Sequence, residues 1–387
     1  GLPADTMVGK SGIEKQYDVY LQGKASDRIG LMVDGQGNQL NQSLRYLEAN
    51  KAAQTMGYQV KLTLDQDVQE ITEEAMAEHS GAAVVIDVKS GDVRAMCSTP
   101  AYQQEQGQIA ASEGDVYINK ALSYYPPASV FKLVLVLAAL DKDIACPDDF
   151  VCPGYITLSN GRQVACWDKK GHGVENLTTA LGNSCNPYFI YLGQLIGGET
   201  IKEYTNRLGL TKQTLIGFST QSLENNLDFN SKVEGDLANV SFGEKGIRLT
   251  PLLVAQLLAT IANDGKMVTP RLVEGILDEE GNWLKAFVPA QEKQVVKSSS
   301  AKALQYILSQ GVAAGTGTPV ANTVVSTAGK SGTTQNAGVW FAGFAPIEAP
   351  QWAVAVYLED GDSGGKDSGS VFREIVEQLA ILYGIAE

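Results

Sequence analysis

The sequence predicts an α+β fold, an antiparallel sheet flanked by helices. Three observations predict it. Alternating apolar runs at 83–99 read as an early hairpin, the middle third carries helical periodicity, and strand-like runs return in the last third. Length and composition permit such a fold. At 387 residues the chain exceeds one average domain, and its 44% apolar content suffices for a buried core. The formal net charge is −14 and no basic stripe exists, so no nucleic-acid partner is expected.

The elements follow in order. Residues 1–57 are polar, glycine-containing and weakly periodic. Val60 to Asp65 reads as a strand, followed by a helix to about His79. The runs Ala83 to Val88 and Val93 to Met96 flank Lys89-Ser90-Gly91-Asp92, a hairpin turn. Residues 100–116, rich in Gln, Ser and Gly, read as a surface loop, and 117–123 as a helical segment. Pro126 and Pro127, followed by the apolar run Leu133 to Leu140, read as a turn feeding a buried helix. That run is too short to span a bilayer, and no longer one exists. Residues 143–175 read as a loop holding cysteines and glycines. Helices are expected at 187–197, 200–208 and 250–263, and the polar stretch Gln221 to Asp236 is expected to border a substrate groove. The last third predicts strands near 267–276, 323–329, 338–345 and 352–358, a helix at 299–310, and a closing helix from about Val371 to Tyr383.

Three short motifs stand in a fixed order: Ser129-Val130-Phe131-Lys132, Ser184-Cys185-Asn186 and Lys330-Ser331-Gly332-Thr333-Thr334. Together they offer a serine nucleophile, a lysine able to take its proton, a polar relay, and a cationic strand for a carboxylate. The letters alone are common. Serine followed three places later by lysine recurs at Ser299 and Ser363, and Lys-Ser-Gly recurs at Lys10 and Lys89. Context separates them. Ser129 precedes a buried helix, whose dipole favours a developing oxyanion, and Lys132 lies one turn on, on the same face. Ser299 reads as a helix cap and Ser363 as a loop residue. Lys89 lies in a hairpin turn and Lys10 in N-terminal coil. Lys330 precedes the strand-like run Val339 to Pro346, which places it at a sheet edge where an extended peptide can pair.

The five cysteines and two histidines form a second constellation. Cys152, Cys166, His172 and Cys185 cluster in one loop-rich stretch. Three thiols and an imidazole make a closed zinc set, although the spacing matches no zinc-finger template. Asp168 could replace one ligand. A disulfide among Cys146, Cys152 and Cys166, or reduced buried thiols, are the alternatives. Cys97 reads as a core strand residue, Cys146 as non-ligating and His79 as a surface residue. If Ser184, Cys185 and Asn186 are extended, the Cys185 side chain points away from the other two.

At the three motifs the chain resembles the penicillin-binding proteins, more closely the class B D,D-transpeptidases. The resemblance covers nearly the whole chain. Gly12-Ile13-Glu14-Lys15-Gln16-Tyr17-Asp18 with Leu21-Gln22-Gly23-Lys24 is similar to the end of the family's membrane-proximal pedestal. Leu62 to Gln69 is similar to the start of its catalytic domain, Ala83 to Met96 to its first core hairpin, and Trp340 to Pro346 to the strand after its lysine motif. The resemblance implies a remnant of an N-terminal pedestal/dimerisation domain at 1–57. At 58–387 it implies a transpeptidase domain of the penicillin-binding protein/serine β-lactamase-like fold, an antiparallel sheet flanked by helices plus an all-helical subdomain. Two departures are mild: Pro127-Ala128 stands where relatives often carry Pro-Gly, and Ser331 where threonine is commoner. The chain begins in what resembles mid-pedestal sequence. An upstream anchor and a place on the extracytoplasmic face of a bacterial membrane are therefore expected.

The resemblance further implies a peptidoglycan D,D-transpeptidase. Such an enzyme cross-links stem peptides through a serine acyl-enzyme on D-Ala-D-Ala, and β-lactams inhibit it covalently. No cofactor is implied for catalysis. Implied partners are lipid II-derived stem peptides, β-lactam antibiotics and a SEDS-type glycosyltransferase in the membrane. Ser129 would be the nucleophile and Lys132, if buried, the base. Ser184 would relay protons between Lys132, Lys330 and the leaving amine, and Asn186 would bind the donor peptide backbone. Lys330, Ser331, Gly332, Thr333 and Thr334 would form the substrate-binding strand. In it Lys330, Ser331 and Thr333 would hold the terminal carboxylate, and the Thr333 and Ser129 N–H groups would make the oxyanion hole. Some elongation-type relatives bind zinc at positions corresponding to Cys152, Cys166, His172 and Cys185. Other activities share the motifs: a serine β-lactamase, a D,D-carboxypeptidase and a non-enzymatic β-lactam sensor. Glu224-Asn225-Asn226-Leu227-Asp228 nearly spells the Glu-x-x-Leu-Asn of class A β-lactamases but ends in Asp.

Overall fold

Strands buried along their whole length read as continuous apolar runs rather than alternating ones. Val339–Ala345 and Trp352–Leu358 are of this kind, with every residue buried. They form the middle of a five-stranded antiparallel sheet. Its order is Ala328–Thr333, Val339–Ala345, Trp352–Leu358, Gly81–Asp87 and Val93–Thr99. On one face Val85, Phe341, Val354 and Val356 share a core with Val68 and Met76 of the helix Gln66–Met76 and with Phe372 and Ile375 of the helix Asp367–Leu382. Alternation turns the intervening residues to the other face, where the wholly buried helix Pro251–Ala262 packs. Local chemistry starts these helices. Asp65 accepts the Asp67 and Val68 N–H groups, and Thr250 accepts that of Leu253 just ahead of Pro251.

The computed structural model describes residues 8–22, 28–33, 39–47, 57–101, 114–221, 223–321, 324–335 and 337–385. Most of the expected loop at 100–116, and parts of the segment 1–57 including Gly23 and Lys24, lie outside them. The chain forms two units. The larger holds Leu64–Leu215, Thr220–Arg271 and Pro289–Glu387. Besides the sheet and its helices it carries the helices Lys132–Asp141, Leu177–Gly182, Asn186–Ile196, Gly198–Arg207, Glu234–Ser241 and Ser298–Ala314. The α+β architecture, helices flanking an antiparallel sheet, is the one expected.

The stretch 143–175, expected to be loop, carries two antiparallel ribbons instead. Phe150–Cys152 pairs with Gly173–Glu175, and Tyr155–Thr157 pairs with Gln163–Ala165. Three-residue strands are too short to show a period in sequence.

The smaller unit holds Gly1–Thr63, Ile216–Ser219 and Leu272–Val288. Two short helices, Gly12–Gln16 and Asp18–Leu21, accompany a ribbon of Arg28–Val33 with Gln39–Leu47. Beside them runs a sheet of Trp283–Ala286, Val273–Leu277 and Gln59–Leu62. Tyr17 closes this unit: its ring packs edge-on against Phe287 and its hydroxyl donates to Gly217 O at 2.5 Å. The expected single strand at 267–276 is really two. Lys266–Met267 pairs with Lys293–Gln294 in the larger unit, and Val273–Leu277 belongs to the smaller. Among the described residues no helix is long and apolar enough to cross a membrane.

Candidate active site

Ser129 sits in a 3₁₀ turn, Ala128–Phe131, that runs directly into the helix Lys132–Asp141. The turn is held from three sides. Ala128 N–H donates to Gly243 O at 3.1 Å, and Trp340 Nε1 donates to Pro126 O at 2.9 Å. The strand Ala328–Thr333 approaches through Gly332, where an added Cβ would lie 3.2 Å from Pro127 O and 3.3 Å from Ala128 Cβ. Ala128 itself has φ +48°, a left-handed conformation that costs a residue with a Cβ about 1–2 kcal/mol.

Lys132 is fully buried. Its Nζ donates to Ser184 O at 2.8 Å and Asn186 Oδ1 at 2.7 Å, and lies 3.3 Å from Ser184 Oγ. Burial lowers its pKa to about 7, while Cys185 and Cys166 pull the other way. A neutral amine has two N–H bonds and one lone pair. Ser184 O and Asn186 Oδ1 can only accept, so they take both N–H bonds. The lone pair is left for a hydroxyl proton.

Ser184 and Asn186 reach Lys132 in a way the extended reading did not foresee. Ser184 has φ +56°, and Asn186 already begins the helix Asn186–Ile196 with Pro187 behind it. The motif is a left-handed residue followed by a helix start. Cys185, between them, places its thiol in the cysteine cluster.

The strand Ala328–Thr333 is the edge strand of the five-stranded sheet. Lys330 Nζ donates to Ser331 O at 2.9 Å and lies 3.4 Å from the hydroxyls of Thr316 and Ser331. Burial, and then repulsion from Lys132, hold its pKa well below the usual lysine range. An arriving carboxylate would reverse that shift. Ser331 Oγ is 2.8 Å from Thr316 Oγ1. Thr333 is exposed, and its hydroxyl accepts the Gly364 N–H at 3.1 Å, which leaves its proton for a ligand. Thr334 is committed to the turn, donating to Gly338 O at 2.8 Å and accepting from Ala337 N–H at 2.9 Å.

Cys152, Cys166, His172 and Cys185 converge, with ligand atoms all within 4.8 Å of one another. His172 Nδ1 lies 3.7 Å from Cys152 Sγ and 3.6 Å from Cys166 Sγ. Cys185 and Cys166 share a hydrogen bond that holds the Cys166 thiol down and pushes that of Cys185 up. Zn–S bonds near 2.3 Å set tetrahedral edges of roughly 3.8 Å. The donor set therefore fits a zinc ion after small inward shifts. Cys97 and Cys146 lie outside the cluster, Cys97 on a core strand, and all five thiols are free.

The other sequence candidates fall elsewhere. Glu224 is exposed, while Asn226 is buried and donates to Leu210 O and Arg248 O, so the stretch is a structural turn. Lys89-Ser90-Gly91 is a hairpin turn, and Ser299 lies in the first turn of a helix. Two residues went unnoticed in the sequence. Trp167 is 59% exposed and its indole N–H donates to Asn183 O, beside Ser184. Thr316 touches the lysine strand from a segment with no motif of its own.

Residues 81–377 match the family described as the penicillin binding protein transpeptidase domain. Stage V sporulation protein D of Bacillus subtilis is 28% identical over 96% of this chain and 59% of its own length. Peptidoglycan D,D-transpeptidase MrdA of Haemophilus influenzae is 27% identical over 96% of this chain and 62% of its own. The chain thus spans about three fifths of the length of these curated relatives. Among solved structures, penicillin-binding protein A from M. tuberculosis, as a ceftriaxone acyl-enzyme complex, is similar with a TM-score of 0.77. It is 25% identical, with 85% of this chain and 81% of that one covered.

Proposed function

Because the chain belongs to the penicillin binding protein transpeptidase family, we propose that it is a serine-type peptidoglycan D,D-transpeptidase. The observation that carries this reading is Lys132. It is wholly buried, shifted toward neutrality, and bound to Ser184 and Asn186 one helical turn from Ser129.

The donor stem peptide lies along the free edge of the strand Ala328–Thr333, and Lys330, Ser331 and Thr333 bind its terminal carboxylate. Asn186 binds its backbone. Ser129 Oγ attacks the carbonyl of the penultimate D-Ala as Lys132 takes the hydroxyl proton. The N–H groups of Ser129 and Thr333 stabilise the oxyanion. The proton passes through Ser184 to the leaving nitrogen, the peptide bond breaks and D-Ala departs. The amine of a second stem peptide then attacks the ester, gives its proton back through the same groups, and frees Ser129. A β-lactam follows the first half only, its ring opening onto Ser129. Thr334 acts by fixing the turn after the strand.

Cys152, Cys166, His172 and Cys185 would hold a structural zinc ion. When bound it supplies no chemistry to the reacting atoms and only anchors the backbone at Cys185, between the relay serine and Asn186. The substrate places the reaction on the outer face of the bacterial membrane, reached through an anchor at the N-terminal side. A SEDS-type glycosyltransferase that makes the glycan strands is the proposed membrane partner.

Incubation with a fluorescent penicillin, followed by intact mass over hours, tests the reading. A lasting adduct on Ser129, absent from Ser129→Ala, is expected. Release of D-Ala from a stem peptide only when an amine acceptor is present then separates transpeptidation from carboxypeptidase and sensor activity. No adduct, or rapid loss of one, would contradict the proposal.

A further inference from the structure

We propose that Thr316 is a positioning residue for carboxylate recognition. It ties Lys330 and Ser331 to the Ser184 loop: its hydroxyl is anchored on Gly182 O and its oxygen holds the lysine ammonium and the serine hydroxyl in place for the ligand. This rests on the reading of the chain as a D,D-transpeptidase.

Thr316 follows the helix Ser298–Ala314 and Gly315. Its backbone N–H donates to Gly182 O at 2.9 Å, two residues ahead of Ser184. Its Oγ1 lies 2.8 Å from Ser331 Oγ, 3.1 Å from Gly182 O and 3.4 Å from Lys330 Nζ. One small side chain thus touches both the segment that leads to the relay serine and the strand that carries the lysine.

The backbone there admits no looser fit. A Cβ on Gly315 would sit 2.5 Å from Gly182 O, and one on Gly365 would sit 2.3 Å from Thr316 O. Thr316 is clamped between two glycine contacts, so its hydroxyl has a defined place.

Proton counting gives that place a purpose. A threonine hydroxyl has one proton and two lone pairs. That proton goes to Gly182 O, which accepts it at 3.1 Å on one lone pair and the Thr316 N–H on the other, so both lone pairs of Oγ1 are left for Lys330 Nζ and the Ser331 hydroxyl. A ligand carboxylate then meets a strand whose cation and hydroxyl are already placed. Lys330, which has only donors when charged, faces the same anion and leans on both hydroxyls. A valine at 316 keeps the shape but removes both the anchor on Gly182 O and the acceptor for Lys330 and Ser331.

The test compares acylation by benzylpenicillin with acylation by its methyl ester, which lacks the anion. Thr316→Val is expected to slow the free acid about tenfold and change the ester, already slower with the unmodified protein, by less than about twofold. Thr316→Ser should restore the acid rate to within about twofold, because it keeps the hydroxyl. If Thr316→Val fails to fold, Thr316→Ala carries the same comparison, since it keeps the N–H bond to Gly182. Equal losses for acid and ester, or no loss for either, overturn the proposal and leave the transpeptidase reading standing. An unmodified protein that benzylpenicillin does not acylate overturns both.

Discussion

Replacing Gly243 with alanine should disable the Ser129 turn from a residue outside every motif. Gly243 has φ +75°, and an added Cβ would stand 2.0 Å from Ala128 O and 3.0 Å from Phe131 Cβ. An ordinary contact begins at 3.4 Å. The turn or the loop must therefore withdraw by about 1.4 Å, which breaks the 3.1 Å bond from Ala128 N–H to Gly243 O. Overpacking of this kind costs about 1–3 kcal/mol, and the left-handed backbone adds about 1–2 kcal/mol for a residue with a Cβ. A misplacement of about 1 Å at the nucleophile costs about 100-fold in rate. Gly161→Ala is the control. It has φ +79° and nothing within 4 Å of the added Cβ, so it bears the backbone strain without the clash. The second-order rate of acylation by a fluorescent penicillin, with a thermal melt beside it, reads both. Gly243→Ala should acylate about 100-fold more slowly and Gly161→Ala at the unmodified rate, with a small loss of Tm for the control. A Gly243→Ala protein that acylates within about threefold of the original would refute the reasoning.

Further outcomes are expected. The proposed base, Lys132, can take a proton only when neutral, so acylation should rise as pH climbs through about 7 and fall away below it. A flat rate between about pH 5.5 and 8.5 would count against that role. Because the lysine binds its proton more weakly in the fold than its usual 10.5, stability should also increase with pH between about 7 and that value, measurable by urea titration. Chelation should remove one zinc per chain by metal analysis and lower both Tm and acylation. Unchanged Tm and acylation after the metal has gone would exclude an anchoring role. Asn226→Ala strips two carbonyl partners from a buried site and should cost about 2–4 kcal/mol in denaturant unfolding, whereas a loss below about 0.5 kcal/mol would show the turn does not depend on it. Glu224→Ala should leave the lifetime of the penicillin adduct unchanged, and an adduct lasting about tenfold longer would revive a hydrolytic role for that carboxylate.

What was legible in the sequence follows the range of the interaction behind each feature. The hairpin at Gly81–Thr99, the helix after Ser129 and the strands Val339–Leu358 declare themselves through neighbours a few residues away. The three motifs were found because each is contiguous. The left-handed Ser184 was not, since it is set by packing around Lys132, 52 residues earlier. Thr316 carries no local mark at all, because its partner Gly182 is 134 residues away. Residue type alone singles out the four cysteine and histidine positions that converge, while the short ribbons around them are too brief to show a period in sequence. The recruitment of Ile216–Ser219 and Leu272–Val288 into the smaller unit was equally invisible, as no composition change marks either segment.

The pairing of Gly81–Asp87 with Trp352–Leu358 has a kinetic side. The two strands lie some 270 residues apart, so the sheet closes a very large loop, and nearly every motif of the site is threaded on it. Closing so long a loop makes assembly slow relative to a fold of local contacts. Its entropy grows only gently with length, so insertions between the strands burden the sheet little. The early hairpin must therefore wait for chain made last before its inner edge is covered. Penicillin labelling, which under the proposed mechanism needs Ser129 and Lys330 together, would then report completed synthesis and folding, and its lag behind translation would measure how long that edge stays open.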